Sequence, residues 1–301
     1  MGLGNAYHRQ LHIGTVKMKT RGKQGRDAGM LPARAGCAAV CLLAAFFMFR
    51  AGGQQDKAPV TAQLPAEIQC EGEYGAHLQG VATNHTDALF WSFTLTLVKT
   101  DLNGKVQAKA KAMYHLGDLT CADGKVYVAA CTSWDRPSNN SKVYVYDAAD
   151  LKLIEMKPVP EATYGAGGVE FYDGRFYVVG GADPKAEENF IYIYDKDFRY
   201  LETRTIPSGH TDLGVQTISR HGGFFWLGCY GDILLKLDDS LNIVGRHAFD
   251  AGYGMKSWQG DEVLVGQTIS RDEGNSKRWR GVVHVARVDA EKGLVLSGAG
   301  K

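Results

Sequence analysis

Beyond residue 66 the sequence lacks any amphipathic stretch of ten or more residues with helical periodicity, which argues against helical and mixed α/β architectures. None of the six cysteines forms a C-x-x-C pair, which speaks against thioredoxin-type and zinc-cluster chemistry. G-x-S-x-G and H-E-x-x-H are absent as well, so neither a serine-hydrolase elbow nor a zincin helix is present. No uncharged run reaches the ~20 residues of a membrane span. Nor is there an excess of positive charge. The overall net charge is +1, but residues 1–50 hold eight Lys/Arg against the single Asp27. Removing them leaves 26 basic and 32 acidic residues, a body of about −6, which gives no support for nucleic-acid binding.

The basic N-terminus runs into Ala35 to Phe49 (AGCAAVCLLAAFFMF), fifteen apolar residues preceded by Arg34 and followed by Ala51-Gly52-Gly53. That arrangement predicts a basic leader and signal peptide over 1–53, with Met30 as a conventional start. The alternative is an N-terminal anchor, which would be the chain's one link to a membrane. Either way the rest of the chain is expected outside the cytoplasm, secreted or periplasmic. Residues 54–76 read as a linker with a possible ring-closing strand at Glu67 to Cys70. The body retains Cys70, Cys121, Cys131 and Cys229, enough for up to two disulfides.

From His77 to the C-terminus the chain repeats a unit of roughly 40–50 residues. Its clearest copy is Tyr164 to Tyr194, YGAGGVEFYDGRFYVVGGADPKAEENFIYIY. Second strands recur as ALFWSFT, KVYVAAC, RFYVVGG, FFWLGCY and EVLVGQT, each followed by a third and a fourth. Aromatic and β-branched residues alternating with period 2 specify strands. Four strands per unit, five times over, predict an all-β fold: a β-propeller of five four-stranded blades across 77–301. A six-bladed ring or a β-sandwich are the alternatives. Trp91, Trp226 and Trp258 are expected in the core between blades.

First-to-second turns are tight: Asp123-Gly124, Asp173-Gly174, His221-Gly222-Gly223 and Gly260-Asp261. Three second-to-third loops are long, at 132–141, 182–189 and 269–280, so length and polarity gather on the opposite face. The inner strands also begin with polar residues at one height, predicting a channel mouth where they converge. Asp118, His115 and His77 are the candidates for acid–base chemistry. Gln79, His210, Asp212, Gln216, Trp134 and Tyr164 are the candidates for holding a ligand. A divalent cation in the channel is a possible cofactor. The expected partner is a small polar molecule or another protein.

Across about residues 77–298 the units resemble secreted bacterial propellers of the broad NHL/YVTN-like kind. Gln79-Gly80-Val81 and Gly117-Asp118-Leu119-Thr120 are further similar to motifs of the glutamine cyclotransferase type, a five-bladed propeller that makes pyroglutamate from N-terminal glutamine. The second motif carries Asp where that family has Glu and lacks its second glycine. This resemblance implies catalysis through Asp118. The reading that the residues themselves favour is a propeller that binds a small polar ligand or a partner at the long-loop end of its channel; an enzyme of the cyclotransferase or lactonase/hydrolase type and a non-catalytic interaction scaffold are the alternatives.

Overall fold

A computed structural model describes residues 63–133, 136–273 and 276–297. The predicted leader, the linker up to residue 62 and Trp134 lie outside the described residues. A short strand β1 (Glu67–Gln69) comes first. Blade one follows with β2 (Leu78–Thr83), β3 (Ala88–Phe93), β4 (Thr96–Asp101) and β5 (Val106–Lys111). Blade two holds β6 (His115–Ala122), β7 (Lys125–Cys131), β8 (Lys142–Asp147) and β9 (Leu153–Pro158). In blade three are β10 (Ala166–Tyr172), β11 (Arg175–Gly180), β12 (Asn189–Asp195) and β13 (Tyr200–Ile206). β14 (Val215–His221), β15 (Phe224–Cys229), β16 (Ile233–Leu237) and β17 (Ile243–His247) form blade four. The last blade contains β18 (Met255–Ser257), β19 (Glu262–Glu273), β20 (Ser276–Asp289) and β21 (Gly293–Leu296).

Each of the first four blades is an antiparallel meander in chain order. Each inner strand packs on those of the neighbouring blades, with β18 touching both β14 and β2, so the ring is closed at five. The six-bladed and sandwich alternatives fail on this topology. Residues 67–69 add no blade. Instead β1 pairs with β20 of the fifth, at Glu67↔His284, Ile68↔Val283 and Gln69↔Val282. The outer position of that blade is therefore shared: β1 takes one half of β20 and β21 takes the other, from Ala286 to Asp289. Both ends of the propeller are fixed by one strand.

The tight turns follow from local chemistry. Asp123 and Gly124 both have positive φ (50° and 71°), as do Asp173 and Gly174 (49° and 70°), the conformation that a two-residue hairpin requires. One expected loop is a different structure. Ile269 to Arg280 is expected as a long second-to-third loop, but β19 and β20 continue through it as a paired ribbon: Ile269↔Arg280, Ser270↔Trp279, Arg271↔Arg278 and Asp272↔Lys277. The segment has no strand-like alternation, its side chains at 269–272 all being exposed, which is why it reads as a loop; in the ribbon Asp272 faces Lys277 with opposite charge.

Between blades the core is aromatic. Trp91 and Trp226 are fully buried and Trp258 nearly so, in apolar clusters that join adjacent sheets. Trp91 also donates its Nε1–H to Thr100 Oγ1 at 2.9 Å, so its polar atom is satisfied. Burying such a ring removes about 150–250 Å² from water, worth about 4–6 kcal/mol at ~25 cal/mol/Å². Cys70, Cys121, Cys131 and Cys229 are all free, so the disulfides that the cysteine count allowed are not formed.

Candidate functional site at the channel mouth

The site grows from a repeated irregularity. In each of the first four inner strands the pairing register slips near the long-loop end: between Leu78 and Gly80, Leu116 and Leu119, Ala166 and Gly168, and Val215 and Thr217. A bulge leaves its extra residue unpaired in the ladder and re-aims its side chain. The bulged residues are Gln79, Gly117 with Asp118, Gly167, and Gln216. Four of these five, all but Asp118, line a single cavity of about 150 Å³ at the mouth. The glycines permit the crowding: a Cβ on Gly117 would stand 2.1 Å from the Gly167 carbonyl oxygen.

His77, Gln79, His115, Tyr164, Gln216 and Tyr230 supply the polar lining. Gln79 Nε2 lies 3.2 Å from His77 Nε2 and 3.2 Å from His115 Nε2. His77 Nδ1 sits 2.9 Å from the Leu78 carbonyl oxygen, so Nδ1 carries the proton and Nε2 accepts. The two amide hydrogens of Gln79 are thereby committed to two imidazoles, and its Oε1 is the group it offers to a ligand. Burial, reinforced by the neighbouring His77, pushes His115 down to about 4, so it is neutral at pH 7. Tyr164 donates to Asp183 Oδ2 at 2.8 Å, and Gln216 Nε2 donates to the Leu213 carbonyl at 2.8 Å. Among the described residues no Asp, Glu, Lys or Arg lines this cavity.

Asp118 sits beneath the mouth and does not line it. The residue is fully buried, with Oδ2 accepting from Lys256 Nζ at 3.0 Å and from the Ile218 N–H at 3.3 Å. Its Oδ1 has no hydrogen-bond partner among the described residues. Burial pushes this carboxyl up to about 7, with the Lys256 charge offsetting only part of the effect. Lys256 also reaches Glu170 Oε2 at 3.3 Å and donates to the Ile218 carbonyl. Burial works to lower its ammonium, but Asp118 and Glu170 together outweigh that and hold it above its ordinary value. The donor set does not fit a divalent cation: Lys256 already stands between the two carboxylates. Among the described residues no group of three or more His, Cys, Asp or Glu is arranged to hold a metal.

Of the predicted residues, His77, Gln79, His115, Tyr164 and Gln216 meet at the mouth. His210 and Asp212 do not. Both are exposed on the connection to β14, which begins only at Val215, after Leu213 and Gly214 turn the chain with positive φ. Trp279 stands at the rim, its ring 5.5 Å from that of His77. Sequence reasoning missed Tyr230 and Cys131, which close second strands at the mouth, and Lys256 and Glu170 below it. A single charged residue inside an apolar inner strand was the available signal for the last two.

Fold and site together define a five-bladed β-propeller with a polar cavity at one mouth of its channel. No family model matches the sequence, and no curated protein matches it. Among solved structures the chain is similar to the crystal structure of Myxococcus xanthus glutaminyl cyclase, with a TM-score of 0.51 and 10% identity over 74% of this chain and 96% of that one. It is also similar to the computationally designed Ika4 protein (TM-score 0.38, 12% identity, 59% and 99% coverage). A protein of unknown function from Bacteroides caccae gives a TM-score of 0.41 and 14% identity, covering 65% of this chain and 71% of that one. At these identities the likeness is one of fold.

Proposed function

We propose that this propeller binds a small, uncharged polar molecule at its long-loop mouth, and that it does so outside the cytoplasm. The observation that carries the reading is the His77–Gln79–His115 network, in a cavity that no charged side chain lines among the described residues. A cavity of about 150 Å³ suits a ligand the size of a small ring or carboxamide, since an engineered apolar cavity of that size takes up benzene. Gln79 Oε1 accepts from such a ligand, and the Tyr230 hydroxyl and Gln216 Oε1 complete its contacts. Calorimetric titration of the full chain with small carboxamides, glutaminyl peptides and sugars tests this. Gln79→Ala is expected to weaken binding about tenfold or more, because two imidazoles lose their donor and the ligand its acceptor. Unchanged affinity would sink the assignment. N-terminal sequencing of the mature protein from its host tests the export half: an intact N-terminus in a cytoplasmic fraction contradicts it.

One observation favours a catalytic second reading. Asp118, with its carboxyl near 7, stands next to the cavity-lining Gly117 in the same bulge, in a fold shared with a glutaminyl cyclase. An acid of that strength suits proton transfer at neutral pH. Ammonia release from glutaminyl peptides, compared between the native chain and Asp118→Asn, decides it. Turnover that survives the substitution removes Asp118 from the reaction, and no turnover leaves the binding protein.

A further inference from the structure

The paired ribbon that extends blade five carries a charge arrangement that its fold does not require. Successive side chains of a strand point to opposite faces, so its cross-strand pairs sort into two sets. Ser270 with Trp279 and Asp272 with Lys277 share one face. That face is balanced internally: Asp272 is opposite Lys277, and the Lys277 ammonium lies 4.6 Å from the Trp279 ring centroid.

The other face holds Ile269 with Arg280 and Arg271 with Arg278. Like charges placed directly opposite each other destabilise a ladder, and here two arginines are paired in register. Arg280 is held by Glu73, whose Oε1 accepts from its Nε at 3.1 Å and from its Nη2 at 2.7 Å. Among the described residues no hydrogen bond or ion pair engages Arg271. Both facing arginines are exposed, so a ligand can reach them. With Glu73, Ile269, Ser270 and Arg280 they line a hollow of about 160 Å³. In an otherwise acidic body, such a pairing is not a product of composition. Two guanidinium groups offer two planar forks of N–H donors and two positive charges. A single carboxylate matches one of those charges. A phosphoryl group carries about −1.5 to −2 at pH 7 on three acceptor oxygens, enough to engage both forks and remove their repulsion.

We propose that this arginine face of the ribbon binds a phosphoryl group, as inorganic phosphate or a phosphate monoester, between Arg271 and Arg278. The site shares no lining residue with the mouth cavity and stands independently of what binds there. The test is calorimetric titration of the full chain, in a low-salt buffer free of phosphate, with inorganic phosphate, phenyl phosphate and succinate. Saturable binding of phosphate is expected, with succinate weaker. Phenyl phosphate binding more tightly than phosphate, through the exposed Ile269, identifies an ester as the ligand; equal or weaker binding identifies the free ion. Arg271→Gln and Arg278→Gln should each weaken phosphate binding roughly tenfold or more. Arg271→Lys, which keeps the charge but not the fork, should fall between Arg271→Gln and the native chain. Arg287→Gln is the control: it removes one charge from the same strand at a guanidinium paired to Glu262 at 3.1 Å, and should leave the affinity unchanged. The proposal is overturned by no saturable binding of either phosphate compound, by succinate binding more tightly than phosphate, by an equal loss in Arg287→Gln, or by undiminished affinity in Arg271→Gln and Arg278→Gln when circular dichroism shows them folded.

Discussion

Asp118→Asn is the sharpest probe of the buried charges that divide the shaft. The ordinary value of the carboxyl is 3.8, and burial raises it to about 7 in the folded protein. A raised folded value means that, between roughly pH 4 and 7, the native state holds a proton which the unfolded chain has released. Stability is therefore highest below that window and falls as pH rises through it. At about 1.4 kcal/mol per pH unit, the loss is about 3 kcal/mol between pH 5 and 8. Against a typical total of about 5–15 kcal/mol this is large. Lys256 is held above 10.5, keeps its charge throughout, and adds nothing in this range. Asp183, Asp195, Asp238 and Asp289 are lowered, titrate at more acidic pH with the opposite sign, and are common to both proteins. Asn keeps the shape and one acceptor for Lys256 but cannot ionise. Urea unfolding at pH 5, 6, 7 and 8 should give a native chain that loses about 3 kcal/mol relative to the variant between the ends of the series. Parallel stability profiles would refute the reasoning.

Removing the other member of the cluster has the opposite outcome. Lys256→Met leaves Asp118 and Glu170 buried without their cation, and should cost about 3–5 kcal/mol at pH 8. The same urea series should show less damage at pH 5, where Asp118 takes up a proton. Ile68, buried at the centre of β1, links the chain start to the last blade, and Ile68→Ala should destabilise by about 2–5 kcal/mol. Its exposed neighbour serves as the control, with Glu67→Ala expected within about 0.5 kcal/mol of the native chain. Gly80→Ala places a Cβ 2.5 Å from Asp118 Cα, so the two inner strands must separate; a loss of about 1–3 kcal/mol is expected by thermal unfolding.

The propeller was legible because its information is local and repeated. Runs such as KVYVAAC and RFYVVGG declare strands by alternation, and Asp-Gly pairs declare hairpins, so blade number follows from periodicity. The mouth was half legible for a related reason. Polar residues at one height in successive inner strands point to one axis, which found His77, Gln79, His115, Tyr164 and Gln216. Alternation cannot say where the ladder slips. In β6 the register skips two residues between Leu116 and Leu119, whereas the other bulges skip one, and Asp118 is turned inward beneath the cavity rather than into it. His210 and Asp212 lie outside the cavity lining because the positive-φ pair Leu213-Gly214 delays the strand, a conformation that Leu seldom adopts and composition does not announce.

The buried cluster of Asp118, Glu170 and Lys256 was the least legible part because it depends on sequence distance. Asp118 and Lys256 stand 138 residues apart, and Glu170 and Lys256 stand 86 apart. They come from blades two, three and five, so they meet only when the ring has closed. Closure is secured by β1, whose three pairs to β20 bring the start of the propeller to its last blade. Two features that look unrelated, a three-residue outer strand and a buried salt-bridged cluster at the axis, therefore depend on the same event. β1 adds to the direct packing of β2 on β18 and β19, and a ring opened between blades five and one would expose Lys256 to water and let Asp118 ionise nearer its ordinary value. The pH dependence assigned to Asp118 should consequently fade in Ile68→Ala under conditions where the ring opens before the blades unfold.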